Sequence, residues 1–331
     1  MSYCFCSKIG NKNRILQKKN MKLFKKIATI VLAVIILFLL GGYLYFQNKF
    51  SPPENYLNVY GVAENIPMKW ISSEGNSHSA LLLPVKINGI AQTFYMQFDS
   101  GSPVTVFYRN SLKSISEKFH NSLRINDRNQ IPSVFTIGNL KVVSKTFEVL
   151  DYGRKIDFNN SKAENIIGTI GTDLLEKRIV VLDFKNSLCH FVETWKENDF
   201  SDFEFKKRKI LISAAVENEK LKLLYDSGTS GYELITTKEN WQNYRIKNSA
   251  VKKEKGNSWG TTLTIYSASA KKKIQFNNKT LNLSEVTYIE GISDLQQFLM
   301  KRSGMQGMIG NKLFLNHKLI LDCKNEKFKM E

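Results

Sequence analysis

Two well-separated stretches of this chain read alike. Phe94-Tyr95-Met96-Gln97-Phe98-Asp99-Ser100-Gly101-Ser102 is answered by Leu221-Lys222-Leu223-Leu224-Tyr225-Asp226-Ser227-Gly228-Thr229. Each is an apolar strand candidate, an aromatic residue, then Asp-Ser-Gly and a hydroxyl residue. A second pair follows in the same order. Ile166-Ile167-Gly168-Thr169-Ile170-Gly171 precedes Ile179–Phe184, and Gly307-Met308-Ile309-Gly310 precedes Leu319–Asp322. Gly168 to Asp183 is 15 residues, as is Gly307 to Asp322, and Gly171 to Asp183 and Gly310 to Asp322 are both 12. Two signals recurring in one order, one of them at identical spacing, argue for internal duplication. The lobes are placed at 70–200 and 201–331.

Between these motifs run short apolar segments rich in Val, Ile, Phe, Tyr and Thr, broken by Gly, Asn and Lys turns. Ala80–Ile87, Thr93–Phe98, Lys141–Leu150, Ile179–Phe184, Leu221–Tyr225, Thr261–Ile265 and Lys318–Leu321 are the clearest strands. Helical periodicity is confined to 109–119, 172–177 and 293–302. The fold class is therefore mainly β, in two like lobes. At 42% hydrophobic and 11% aromatic residues, the chain as a whole is not a disordered one.

A single Asp-Ser-Gly is ordinary turn chemistry. Two copies at the ends of apolar strands, related by a repeat, can do more if a pseudo-twofold axis brings them together. Two carboxylates about 3 Å apart cannot both ionise at ordinary pH, so they share a proton and titrate as a unit. The ionised partner can take a proton from water while the protonated one donates to a carbonyl, which is general acid–base hydrolysis without metal or cofactor. In this arrangement Asp99 and Asp226 form the catalytic pair. Gly101 and Gly228 let the backbone approach the carboxyls. Ser100 and Ser227 reach across to the opposite loop, and the hydroxyls of Ser102 and Thr229 are expected to donate to the outer carboxylate oxygens.

Hydrophobic-hydrophobic-Asp-Ser-Gly-[Ser/Thr], then hydrophobic-hydrophobic-Gly, then a strand ending in Asp, resembles the pepsin-type aspartic peptidases, and most nearly their compact bacterial lobes. The likeness covers most of residues 80–331. It implies a two-lobed acid-protease fold, with Asp99 and Asp226 as the dyad. Ser100 and Ser227 take the locking role, and Ser102 and Thr229 support the carboxylates. Ile170-Gly171 and Ile309-Gly310 match the strands behind each active loop. The implied substrate is an extended polypeptide in the cleft between lobes. Because both half-sites lie on one chain, a monomer suffices. The chain departs from the pattern in three ways. The flap hairpin is expected near Leu123–Ser133, yet that stretch holds no tyrosine, and the Tyr152-Gly153 pair comes after the following strand. Pro103 follows the first motif, and serine replaces the commoner threonine in both triplets.

Residues 27–46 carry no charge over 20 positions, enough to cross a bilayer as a helix. Residues 1–26 hold eight basic residues and no acid. The positive-inside rule keeps this tail in the cytoplasm and everything after 50 outside it, periplasmic or extracellular. No small-x-small cleavage site follows Phe46, so an uncleaved signal-anchor is expected, with 47–69 as a linker. The net charge is +18, of which +10 remains beyond the tail. It favours acidic partners or anionic lipid and does not by itself indicate nucleic acid. The runs Lys252–Lys255 and Lys271–Lys273 read as solvated faces. Among the four cysteines no pair has metal-ligand spacing. Cys189 and Cys323, each near the end of a repeat, are either a disulfide or two buried thiols. The histidines (His78, His120, His190, His317) are scattered, and no metal, cofactor or nucleotide motif appears. Asp183 and Asp322 each close a strand before a turn and are structural.

The leading reading is thus an aspartic endopeptidase held at a membrane by one helix. The alternatives are a peptidase-like module that holds extended peptides without cutting them, and an envelope domain whose Asp-Ser-Gly turns are incidental.

Overall fold

A computed structural model describes residues 4–49, 51–73, 75–120, 123–160, 162–196, 198–258, 261–277, 279–292, 300 and 304–331. The chain divides into two compact units, Met1–Pro53 and Glu54–Glu331. The first is one helix, α1 (Cys4–Lys49). Its stretch Met21–Tyr45, with mean hydropathy 2.7, is long and apolar enough to cross a membrane, and none of it is buried. It contains most of the span expected at 27–46. An apolar helix at this place serves as an anchor or as a signal sequence.

The second unit is built from strands. The first half holds β1 (Asn58–Tyr60), β2 (Ala63–Pro67), β3 (Lys69–Ser73), β4 (Asn76–Ile87), β5 (Thr93–Phe98), β6 (Val106–Tyr108), α2 (Arg109–Phe119), β7 (Gln130–Ile137), β8 (Leu140–Leu150), β9 (Ile166–Ile170), β10 (Ile179–Asp183) and β11 (Leu188–Val192). The second holds β12 (Ser201–Lys206), β13 (Lys209–Val216), β14 (Glu219–Tyr225), β15 (Leu234–Thr236), α3 (Lys238–Tyr244), β16 (Val251–Ser258), β17 (Thr261–Phe276), β18 (Lys279–Glu290), β19 (Gly307–Ile309), β20 (Lys318–Asp322) and β21 (Lys327–Met330). The strands and the 109–119 helix expected from sequence fall within these elements, except that Phe184, expected in a strand, lies just past β10. The 172–177 segment is a short 3-10 turn, Thr172–Leu175. The helix expected at 293–302 lies outside the described residues except for residue 300. The 47–69 segment, expected as a linker, contributes β1, which pairs with β8, and β2, which pairs with β11. Ala63 and Ile66 both bury there although they are three residues apart, because Asn65 takes a positive φ (+55°) and the pairing with β11 shifts register between Cys189 and Phe191, which turns both side chains to the core.

The halves repeat each other pairing by pairing. β5 runs antiparallel to β4 and parallel to β9, and β14 runs antiparallel to β13 and parallel to β19. β6 lies between β9 and β8 just as β15 lies between β19 and β18. The hairpins β7–β8 and β17–β18 correspond, as do β10–β11 and β20–β21. The lobes join where β10 pairs antiparallel with β20. Ile179 faces Asp322, Asp183 faces Lys318, and Val181 faces Ile320 at the centre. Since Asp183 and Asp322 are equivalent in the repeat, this register is a local twofold. All five residues of β10 are buried, which is why its first four, Ile179 to Leu182, are apolar without alternation. Each buried Val or Leu at this seam stabilises the joint by roughly 1.5–3 kcal/mol. The two-lobed, mainly β architecture implied by the duplicated sequence is the architecture observed.

Candidate active site

The two Asp-Ser-Gly loops are made alike. β5 ends at Phe98, and the Asp99 amide donates to the Ile170 carbonyl (3.0 Å), so β9 holds the first residue of the loop. The chain then turns, with the Ser102 amide donating to the Asp99 carbonyl (3.1 Å). In the second lobe the Asp226 amide donates to Ile309 (3.0 Å) and the Thr229 amide to Asp226 (3.1 Å). Parallel pairing aligns Phe98 with Ile170 and Tyr225 with Ile309, which places both aspartates at the same strand end.

The loops meet. A Cβ added to Gly101 would lie 2.5 Å from Oδ1 of Asp226, and one added to Gly228 would lie 2.5 Å from Oδ1 of Asp99. Each glycine is therefore the floor on which the opposite carboxyl rests. Each carboxyl also alters the proton affinity of the other. Asp99 Oδ1 accepts from the amides of Gly101 (2.9 Å) and Ser102 (3.2 Å). Asp226 Oδ1 accepts from the Gly228 amide (2.8 Å).

Desolvation raises both carboxyls above the ordinary carboxylate range. Asp226 is pushed up to about 8, first by burial and then by the Asp99 charge, with amide bonds opposing. This holds although part of its surface remains accessible, because protein atoms surround the rest. For Asp99 burial also raises the value, but bonds from Gly101, Ser102, Asp226 and Gly228 all favour its charged form. The bonds reaching Asp99 favour its charged form, and the Asp99 charge in turn favours the neutral form of Asp226.

Ser100 and Ser227 lock the loops together. The Ser100 amide donates to Ser227 Oγ and the Ser227 amide to Ser100 Oγ, both at 2.8 Å. Each hydroxyl then donates across to the other lobe, Ser100 to the Tyr225 carbonyl (2.9 Å) and Ser227 to the Phe98 carbonyl (3.0 Å). All four bonds are buried and cross the pseudo-twofold. The expectation for Ser102 and Thr229 needs correction. Ser102 Oγ donates to the Val104 carbonyl (2.8 Å) and Thr229 Oγ1 to the Asp226 carbonyl (2.9 Å). Backbone amides supply the carboxylate bonds instead, because the tight turn points the N–H groups inward and leaves the hydroxyls beside carbonyls.

Behind the loops lie residues that motif reading missed. Asp173 accepts from the Thr105 amide (2.7 Å), Thr105 Oγ1 (2.6 Å) and the Leu174 amide (2.9 Å), and Gly171 donates to Thr105 Oγ1 (3.1 Å). Burial raises Asp173 to about 6 despite these bonds and the nearby Arg208 charge. In the second lobe Tyr225 Oη donates to Asn311 Oδ1 and Asn311 Nδ2 to Ser230 Oγ, both at 2.6 Å. The available signal was position: Thr172-Asp173 and Asn311-Lys312 both follow the repeated Gly.

The flap expectation is also corrected. Within Leu123–Ser133 the chain makes a tight turn, with Asn126 Oδ1 accepting from the Arg128 and Gln130 amides at 2.9 Å, before entering β7. No strand precedes β7 there among the described residues. Among the described residues, a long hairpin occupies the corresponding place in the second lobe, β16 and β17, and not in the first. Cys189 and Cys323 are buried free thiols.

No family model matches this chain, and no curated protein is similar to it in sequence. Among solved structures, the aspartic proteinase from Irpex lacteus superposes with a TM-score of 0.47 at 8% identity, covering 82% of this chain and 97% of that one.

Proposed function

We propose that this chain is an aspartic endopeptidase, with Asp99 and Asp226 as its catalytic pair. One observation carries the reading: two carboxyls from duplicated loops meet across the pseudo-twofold, each seated on the opposite loop's glycine. A water held between them would lose a proton to Asp99 as it attacks the peptide carbonyl. Asp226 would donate its proton to the carbonyl oxygen, stabilising the developing tetrahedral alkoxide. As the tetrahedral gem-diol collapses, the proton gained by Asp99 passes to the leaving amine and one gem-diol hydroxyl returns its proton to Asp226, so the pair regains its single shared proton. The substrate in this reading is an extended polypeptide lying between the lobes, bound as an added strand. A monomer suffices, and α1 acts as an uncleaved anchor with the folded unit outside the cytoplasm, following the basic flank at 8–26.

The test is cleavage of a peptide library by the full chain in detergent. Asp99→Asn and Asp226→Asn each abolish cleavage if the reading holds. A double Asn variant that still cleaves like the parent refutes the dyad. Peptide binding without turnover between about pH 3 and pH 8 points instead to a peptide-holding module, since that window spans the titration of a shared-proton carboxyl pair.

A further inference from the structure

The turn Lys206-Lys207-Arg208-Lys209 has the composition of a solvated tip, yet Arg208 is only 5% exposed. It closes the hairpin β12–β13 of the second lobe. Lys207 and Arg208 both take positive φ, +52° and +59°, the backbone that two-residue hairpin turns ordinarily fill with Asn and Gly. Two long basic residues in that conformation require a compensating contact, and the contacts of Arg208 all lie in the other lobe.

Arg208 Nε donates to Glu176 Oε1 (2.6 Å), and Nη1 donates to the Pro103 carbonyl (3.2 Å). The Arg208 carbonyl accepts from Thr172 Oγ1 (2.7 Å), which also lies 3.0 Å from the Ser102 carbonyl. Pro103 has no amide hydrogen, so its carbonyl is its one backbone handle. The segment gripped in this way, Ser102 to Pro103, begins three residues after Asp99 and includes one of the two amides that donate to its carboxylate. The equivalent hairpin of the first lobe, β3–β4, makes the reciprocal approach. Asn76 packs against Gly231, just past the Asp226 loop, and Lys252 Nζ donates to the Gly75 carbonyl (3.3 Å). Each lobe thus props the other's loop, but only the Arg208 arm places a buried cation there.

We propose that Arg208 is a positioning residue for Asp99, fixing the Ser102–Pro103 segment to the lobe that carries Asp226 and so setting how the two carboxyls meet. The proposal rests on the dyad reading for its catalytic consequence, though not for its geometry. The Arg208–Glu176 pair, buried at the arginine and partly exposed at the glutamate, contributes little net stability, because desolvation of the guanidinium offsets the attraction. Its worth lies in geometry, where displacement of a catalytic group by about 1 Å lowers the rate roughly a hundredfold.

The test uses Arg208→Met/Glu176→Gln, which removes both charges together, and Thr172→Val, which loosens the same segment from the first lobe. Three readouts are taken on the full chain: melting temperature, kcat and KM for peptide cleavage, and ¹³C-carboxyl titration of Asp99 and Asp226. The expected result is a kcat at least about tenfold lower, KM within about twofold, and an Asp99 midpoint raised by about half a unit or more, because the Ser102 amide bond weakens. Arg208→Lys keeps the Glu176 pair without the fork to Pro103 and restores kcat in part. Folded variants with parental kcat and parental carboxyl midpoints overturn the proposal, whether or not their melting temperature falls. If the parent cleaves no peptide, the dyad reading fails, and the carboxyl titration alone still decides the role of Arg208.

Discussion

Replacing Ser100 with alanine removes one oxygen from the centre of the lock. In the parent that hydroxyl accepts from the Ser227 amide and donates to the Tyr225 carbonyl, at 2.8 and 2.9 Å. Ser100 is 1% exposed, so no water replaces it. Two buried backbone groups are then left unsatisfied, at about 1–3 kcal/mol each. The loss is about 2–6 kcal/mol. At roughly 2 °C per kcal/mol for a unit of this size, melting falls by roughly 4–12 °C. The assay is thermal unfolding of the full chain followed by tryptophan fluorescence, repeated for Ser227→Ala and the double variant. Because both hydroxyls serve one interlocked network, the double variant loses less than the sum of the singles. Ser100→Ala melting within about 1 °C of the parent, a change worth well under 1 kcal/mol, refutes the argument that these hydrogen bonds join the lobes.

Two further perturbations probe the pair and its surroundings. Gly228→Ala places a methyl 2.5 Å from Asp99 Oδ1. The carboxyl must shift by about 1 Å, which lowers kcat on the order of a hundredfold while overpacking costs about 1–3 kcal/mol; a variant with parental kcat sinks this account. Asp173 supplies a pH signature, since burial raises it from 3.8 to about 6. A carboxyl raised in the folded state binds its proton more tightly there than in the unfolded chain. Its contribution is fully present below the unfolded value and is lost as pH rises through about 6, on the order of 3 kcal/mol in all. Melting temperature measured from about pH 4 to pH 7 therefore falls less steeply in Asp173→Asn than in the parent. Equal slopes mean that Asp173 titrates normally.

Much of the candidate site was legible because a duplicated motif carries its own alignment. Once Asp99 and Asp226 are recognised as equivalents, the strands that end at Phe98 and Tyr225 and the backing strands at Ile170 and Ile309 follow from apolar pattern and spacing. The cross-lobe reach of Ser100 and Ser227 follows from short side chains at twofold-related positions. The hydroxyls of Ser102 and Thr229 did not follow, because which group of a tight turn faces a carboxylate depends on backbone angles, not on residue type. The flap was misplaced for a related reason. Asn126 closes a tight turn ahead of β7 in one half, whereas β16 extends the other, so Asp99 to Gly168 is 69 residues but Asp226 to Gly307 is 81.

Patterning along the chain was enough to read a duplicated β structure behind one apolar helix and to mark two carboxyls at equivalent places. That information is local, since strand patterning and Gly spacing report on a residue's immediate neighbours along the chain. Only the tertiary structure decided that β2 is part of the core, that Asp173 backs the first loop, and that Arg208 crosses between lobes. These contacts join residues far apart in sequence whose types are ordinary for their positions. A basic turn reads as solvent-facing until the packing of the two halves shows that one of its side chains has nowhere else to go.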